Sequence, residues 1–137
     1  MKLYGEEHDK TISAALNYSV ALHGLQRFEE AKSWLHRQIP VARRVHGEEH
    51  KLMLKMRWIH AEALYSDDGA TLDDLREAVE THEDVERIAR RVFGGAHPLT
   101  EGIGGELRKS RAVLAAREGD DVSSVCEGVA AMTPGDA

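Results

Sequence analysis

Histidine is the residue of this sequence best suited to chemistry, because eight histidines occur among 137 residues and imidazole binds metals and transfers protons near neutral pH. His46 and His50 are four residues apart, a spacing that suits a shared metal when one helix carries both. Gly47 predicts a helix end between them, so the pair does not predict a metal site.

Catalytic patterns are equally weak. His82 precedes two acidic residues without a partner at metal-ligand spacing, no His-Glu-x-x-His occurs, and no serine or cysteine has an identifiable base. The glycine-rich segment 102–105 follows Pro98 in a helical pattern instead of a strand, unlike a phosphate-binding loop. The sequence therefore predicts no enzyme, no catalytic residue, no metal and no cofactor.

Composition excludes further classes of protein. Asp and Glu number 24 against 18 Lys and Arg, for a net charge of -6, so no basic field predicts nucleic acid as a partner. A single cysteine, Cys126, permits no intrachain disulfide. The first residues lack the apolar core of a signal peptide and no run of 18 apolar residues occurs. We expect a cytoplasmic protein without membrane insertion.

Two tetrapeptides recur and set the organisation of the chain. Gly-Glu-Glu-His stands at 5–8 and again at 47–50, Ala-Arg-Arg-Val stands at 42–45 and 89–92, and a third Gly-x-x-His follows at 94–97. The units span about 5–46, 47–93 and 94–117, with five extra residues in the second unit between Leu64 and Leu75. A histidine that recurs in every connector is expected to satisfy backbone groups between elements.

Each unit predicts a first and a second helix. Apolar residues follow a 3.6-residue period, and Thr71, Gly47, Gly94 and Pro98 fit helix ends. Aromatic residues make up only 5% of the chain, which suits thin layers of helices. Pro40 predicts a kink or a break in the second helix of the first unit. The fold class is therefore all-α.

The repeat resembles the tetratricopeptide repeat, in the 42-residue variety of kinesin light chains. The family pattern Gly-x-x-His-Pro-x-Thr matches 5–11 and 94–100 in most positions, Asn17 matches the first-helix asparagine, and Phe28-Glu29-Glu30-Ala31 matches the opening of the second helix. Departures include Gln26 for glycine, Gln38 for a packed alanine, and Ile59 and Glu106 for the asparagine. HEAT-type helical repeats have similar lengths but lack this connector.

The resemblance implies a right-handed α-solenoid of antiparallel helix pairs, with about two and a half repeats over residues 1–117. It also implies a protein-protein interaction module, an adaptor or scaffold of the kinesin-light-chain-like type, that binds a partner peptide or helix in a concave groove lined by the first helices. Asn17 would hydrogen-bond the ligand backbone. The predicted peptide-binding residues are Asn17, Val20, Lys55, Trp58, Glu62 and Lys109, and Ser13, His23, Ile59 and Glu106 are expected on the same side.

Several alternatives stay open at this point. Trp58 also fits packing between repeats, and Lys55 also fits a solvated charge. The chain could instead be a regulatory or substrate-docking helical segment of a larger multidomain enzyme.

The two ends of the chain carry predictions of their own. Residues 2–5 match the end of a second helix at 44–47, so self-association could complete the first repeat. Residues 118–137 form an acidic segment that predicts a disordered tail or a short partner-binding segment.

Overall fold

The chain folds into five α-helices. The structure, a computed structural model, describes the backbone of residues 2–131 and the side chains of residues 10–119. The helices are α1 (Lys2–Gly24), α2 (Phe28–His46), α3 (Lys51–Ser66), α4 (Leu72–Phe93) and α5 (Pro98–Ala131). Residues 2–131 contain no strand, so the predicted all-α class is confirmed. No helix in the described part is both long and apolar enough to cross a membrane.

The helices pack in two layers around α3. Each helix contacts the next along the chain, and α1, α3 and α5 also contact one another in series. Met53, Leu54 and Met56 of α3 are fully buried. The largest apolar cluster joins Ile12 and Leu16 of α1 to the α3 methionines and to residues of α2. The three odd-numbered helices therefore form one continuous surface, which we call the three-helix face.

The connectors at 47–50 and 94–97 have the roles that their residues predict. Gly47 and Gly94 have φ angles of 84° and 93°, in the left-handed region that favours glycine, and each ends the preceding helix. His50 and His97 follow, and each Nδ1 accepts a hydrogen bond at 3.1 Å from the backbone N–H two residues on. These histidines satisfy helix N-termini, so their predicted structural use is confirmed.

The first copy of this connector is different. Residues 5–8 lie inside α1, which is continuous from Lys2 to Gly24, so the predictions of a connector there and of an earlier second helix ending at 2–5 are wrong. The later connectors each separate two helices, whereas the copy at 5–8 continues one helix. Glutamate and histidine at 6–8 are compatible with a continuous helix.

The five extra residues of the second unit divide between a turn and a helix. The α3–α4 turn holds five residues, 67–71, whereas the α1–α2 turn holds three, 25–27. The remaining three residues lengthen α4 to 22 residues, against 19 in α2. Thr71 caps α4 in a reciprocal pair with Asp74, with bonds of 3.0 and 3.1 Å. Both the predicted place of the insertion and the predicted capped start are confirmed.

Pro40 and Gln26 both occupy positions that local conformational preferences disfavour. Pro40 lies within α2, and the helix continues from Phe28 to His46, so the proline does not break it. Gln26, which occupies the family's glycine position, has a φ of 61°. This left-handed conformation costs a residue with a Cβ roughly 1–2 kcal/mol.

Helix α5 is longer than the sequence predicts. It begins at Pro98 as expected but runs to Ala131, past the predicted end at Arg117. The predicted boundary between a repeat domain and a tail, after residue 117, therefore falls inside a helix. Residues 132–137, the rest of the predicted tail, lie outside the described residues, as do the side chains from residue 120 onward.

Candidate functional site

The repeat offsets align residues of the three first helices across the three-helix face. An offset of 42 residues relates Asn17 and Val20 of α1 to Ile59 and Glu62 of α3, and 47 more residues lead from these to Glu106 and Lys109 of α5. Asn17, Val20 and Lys109 are exposed, Ile59 and Glu62 are partly buried, and Glu106 is buried. The most buried residue is thus Glu106 of α5 in the row that begins with Asn17 and Glu62 of α3 in the row that begins with Val20.

A cluster of ionisable side chains surrounds Glu62 and Glu106 on this face, and we call it the Glu62–Glu106 cluster. It consists of His23, Glu62, Tyr65, Glu106 and Lys109. The Tyr65 hydroxyl donates a hydrogen bond to Oε2 of Glu106, and the Lys109 amine lies 3.3 Å from Oε1. His23 Nε2 lies 3.7 Å from Glu62 Oε1. The cluster therefore joins α1, α3 and α5.

The cluster places two carboxyl groups in a partly dry environment. Burial and the nearby charge of Glu106 together raise the pKa of Glu62 to about 7, and Lys109 opposes this rise. Burial and the hydrogen bond to Glu106 raise the pKa of Tyr65 well above its usual value, so the phenol stays a donor. Burial lowers the pKa of His23 despite the charge of Glu106. Near neutral pH the Glu62 carboxyl exchanges between its charged and neutral forms.

His82 supports this cluster from α4. It is fully buried, and its ring centroid lies 6.0 Å from that of Tyr65 in an edge-on arrangement. Nδ1 lies 3.1 Å from the Ser110 hydroxyl and Nε2 lies 3.4 Å from the Trp58 carbonyl oxygen. The Trp58 carbonyl can only accept, so Nε2 carries the hydrogen of that contact, and burial lowers the pKa of His82, which favours the neutral ring. His82 thus links α4 to α3 and α5.

The predicted site residues separate into two groups. Glu62 and Lys109 join the cluster. Asn17 and Val20 lie exposed on α1, and Lys55 is partly buried on α3. Trp58 packs with Leu54, Val85 and Ile103, so its ring serves the packing of α3, α4 and α5. The structure thus places Trp58 in the packing role that the sequence left open.

Sequence reasoning missed Tyr65, although a signal for it existed. Tyr65 is three residues after Glu62 on the same helix, and residues three apart are neighbours on a helix surface. Its bond to Glu106 spans 41 residues, and no local pattern indicates such a partner.

Metal ions require sets of ligands, which ionisable side chains supply. Residues 10–119 hold no group of three or more His, Cys, Asp or Glu side chains that could bind a metal ion. A half-protonated carboxyl beside a buried carboxylate can accept a hydrogen bond or a positive charge from a bound molecule. Comparison with protein-family models, curated proteins and solved structures gives no match for this chain. The resemblance to the tetratricopeptide repeat stays a prediction.

The contact of Trp58 with α5 predicts opposite effects for two nearby glycines. A Cβ on Gly102 would lie 2.8 Å from the Trp58 ring, whereas at Gly104 the nearest atom is an Arg108 side-chain nitrogen at 3.8 Å. Alanine favours a helix over glycine by about 1 kcal/mol, while overpacking costs about 1–3 kcal/mol. Urea unfolding should show Gly104→Ala stabilised by up to about 1 kcal/mol and Gly102→Ala destabilised by about 1 kcal/mol. Equal stabilisation of both would contradict the packing of Trp58 against α5.

Proposed function

We propose that this chain is a non-catalytic, tetratricopeptide-like interaction module that binds a peptide or helix of a partner protein across the three-helix face. The repeated helix pairs and the resemblance of their connectors support the solenoid arrangement, in which the first helices line the concave side. Cargo binding of the kinesin-light-chain-like type is one form of this function. It is an analogy, because a fold alone does not fix a function.

The observation that carries the proposal is the Glu62–Glu106 cluster. Glu106 is only 8% exposed, and the pKa of Glu62 is raised to about 7 by burial and by the charge of Glu106. In the free chain the charge of Glu106 thus opposes the ionisation of Glu62. A positively charged group of a partner would relieve that repulsion and gain charge-assisted hydrogen bonds.

This electrostatic pattern favours a basic partner segment. Lys55 and Lys109 by themselves would favour an acidic one, but the Lys109 amine already lies 3.3 Å from Glu106. We therefore assign the centre of the face to a lysine or arginine of the partner. Asn17, exposed on α1, offers a carboxamide that donates and accepts at once and suits the backbone of the bound segment.

A matched pair of valine substitutions tests this function. Val20 on the three-helix face is 47% exposed and Val92 on α4 is 42% exposed. Arginine at either site should leave the fold intact, because exposed substitutions change stability by only about 0.5 kcal/mol. We expect Val20→Arg to weaken partner binding at least tenfold, since it adds bulk and a positive charge beside the acidic centre, and Val92→Arg to bind as wild type.

Affinity capture from native lysate provides the measurement. Wild type and both variants are immobilised after circular dichroism has shown equal helix content, and recovered proteins are quantified. Partners that wild type and Val92→Arg retain and Val20→Arg loses support the proposal. Equal recovery by all three forms would show that binding does not use the three-helix face.

A further inference from the structure

The first hairpin carries an open groove that is separate from the Glu62–Glu106 cluster. The groove lies between α1 and α2 and has a volume of about 730 Å³. Trp34 anchors it, since its Nε1 donates to the Ala15 carbonyl at 3.0 Å and Tyr18 packs edge-on against its ring at 4.9 Å. Tyr18 is 49% exposed, and Ala14 beside it is exposed.

The second unit contains the same surface with a helix seated on it. There a smaller cavity of about 290 Å³ is lined by four residues of α3 and α4 together with α2 residues. The repeat offset is 42 residues for the first helices and 47 residues for the second helices. By these offsets, each of the four α3 and α4 residues corresponds to a residue that lines an open groove of the first hairpin, α1 and α2. The pairs are Arg57 with Ala15, His60 with Tyr18, Glu77 with Glu30, and Thr81 with Trp34.

Burial confirms that α2 covers this surface in the second unit. Met53 and Met56 of α3 are fully buried against Leu35 and Ala42 of α2. Their counterparts in the first unit, Thr11 and Ala14, are exposed.

We propose that the first-hairpin groove docks a single amphipathic helix of a partner protein, in the way that α2 docks on the second unit. The apolar face of α2 presents Leu35, Ile39 and Ala42, at the i, i+4 and i+7 spacing of one helix stripe. A partner helix with the same spacing of aliphatic residues fits Ala14 and Tyr18, which is the helix-in-groove mode of recognition.

Charge specifies this partner further. In the second unit Arg43 of α2 lines the cavity together with Glu77 of α4. The counterpart of Glu77 is Glu30, whose side chain is 51% exposed and paired with Arg27. Glu30 lines a second groove that adjoins the first and shares Tyr18 and Trp34 with it. The partner helix therefore carries a basic residue one turn after its central aliphatic residue, as Arg43 follows Ile39.

The test uses the full chain and a fluorescein-labelled synthetic peptide with the sequence of residues 28–46, the helix that fills the equivalent position. Fluorescence anisotropy should show saturable binding to the wild-type chain. Ala14→Arg fills the groove from an exposed helix position and should weaken the affinity at least tenfold. Ala96→Arg, at an exposed alanine in the α4–α5 connector, should bind the peptide as wild type does.

Three results would overturn this proposal. The first is the absence of saturable peptide binding. The second is peptide binding that Ala14→Arg leaves unchanged, because the peptide would then bind α3 in place of α2 instead of entering the groove. The third is self-association, seen in sedimentation velocity as a mass that rises with protein concentration, if Ala14→Arg abolishes that rise. A second copy of the chain would then occupy the groove. None of these results bears on the proposed function, which Val20→Arg tests on a different face.

Discussion

Replacing Ala31 with aspartate is expected to unfold the first hairpin and to lower the free energy of unfolding by about 3–5 kcal/mol. Ala31 is fully buried and packs with Leu22 of α1 and Ala63 of α3, with Phe28 and Trp34 against them. An aspartate there must either hold a charge among apolar side chains or take up a proton, and both are unfavourable. Because this cluster joins α1, α2 and α3, the substitution weakens the packing of all three helices.

A second substitution in the same helix isolates the effect of burial. Ser33 is exposed two residues after Ala31, and an aspartate there stands four residues before Arg37, a spacing that favours an ion pair. Ser33→Asp should keep a near-wild-type urea midpoint, with a free energy of unfolding within about 0.5 kcal/mol of the wild-type value. Circular dichroism during urea titration measures both variants. A near-wild-type midpoint for Ala31→Asp would show that Ala31 does not lie at the junction of α1, α2 and α3.

Local chemistry explains why the later connectors could be predicted from sequence. Gly47 and Gly94 end helices through their own backbone conformation, and His50 and His97 bond an N–H only two residues away. These interactions need no distant partner, so a tetrapeptide is enough to indicate them. The identical residues at 5–8 lie in α1, so the tetrapeptide alone does not specify a connector.

The centre of the candidate site depends on contacts that the sequence does not encode locally. Glu62 and Lys109 were predicted on the three-helix face by their repeat positions. The bond of Tyr65 to Glu106 and the packing of Trp58 against Gly102 instead follow from the way α5 crosses α3. Periodicity indicates which side of a helix is apolar. It does not determine which side chains of two crossing helices meet.

The Glu62–Glu106 cluster predicts a stability that depends on pH through Glu62. Its pKa rises from 4.5 to about 7 on folding, so the folded chain holds more protons than the unfolded chain between these values. Stability from this group is complete below pH 4.5 and is lost as the pH rises through 7. Glu62→Gln removes that loss. The variant should exceed wild type by about 2–3 kcal/mol at pH 8 and by little at pH 4.

Three histidines with lowered pKa values give the opposite dependence of stability on pH, and this makes the effect of Glu62→Gln easier to recognise. Burial lowers the pKa of His60 from 6.5 to about 4 and also lowers those of His23 and His82. The unfolded chain then binds more protons as the pH falls from 6.5 toward 4, so these groups destabilise the fold in acid. In wild type the stability contributed by Glu62 increases as the pH falls, and this gain offsets part of the loss from the histidines. Glu62→Gln should therefore lose stability more steeply on acidification.

Urea unfolding at pH 4, 6 and 8 distinguishes this coupling from a general effect of removing a charge. Glu80→Gln, at an exposed position of α4, removes the same charge away from the cluster and should differ from wild type by a small and nearly constant amount. The difference between Glu62→Gln and wild type should instead grow with pH. If that difference is the same at all three values, the Glu62 carboxyl titrates as it does in the unfolded chain. The acidic centre would then exert no repulsion that a basic partner could relieve.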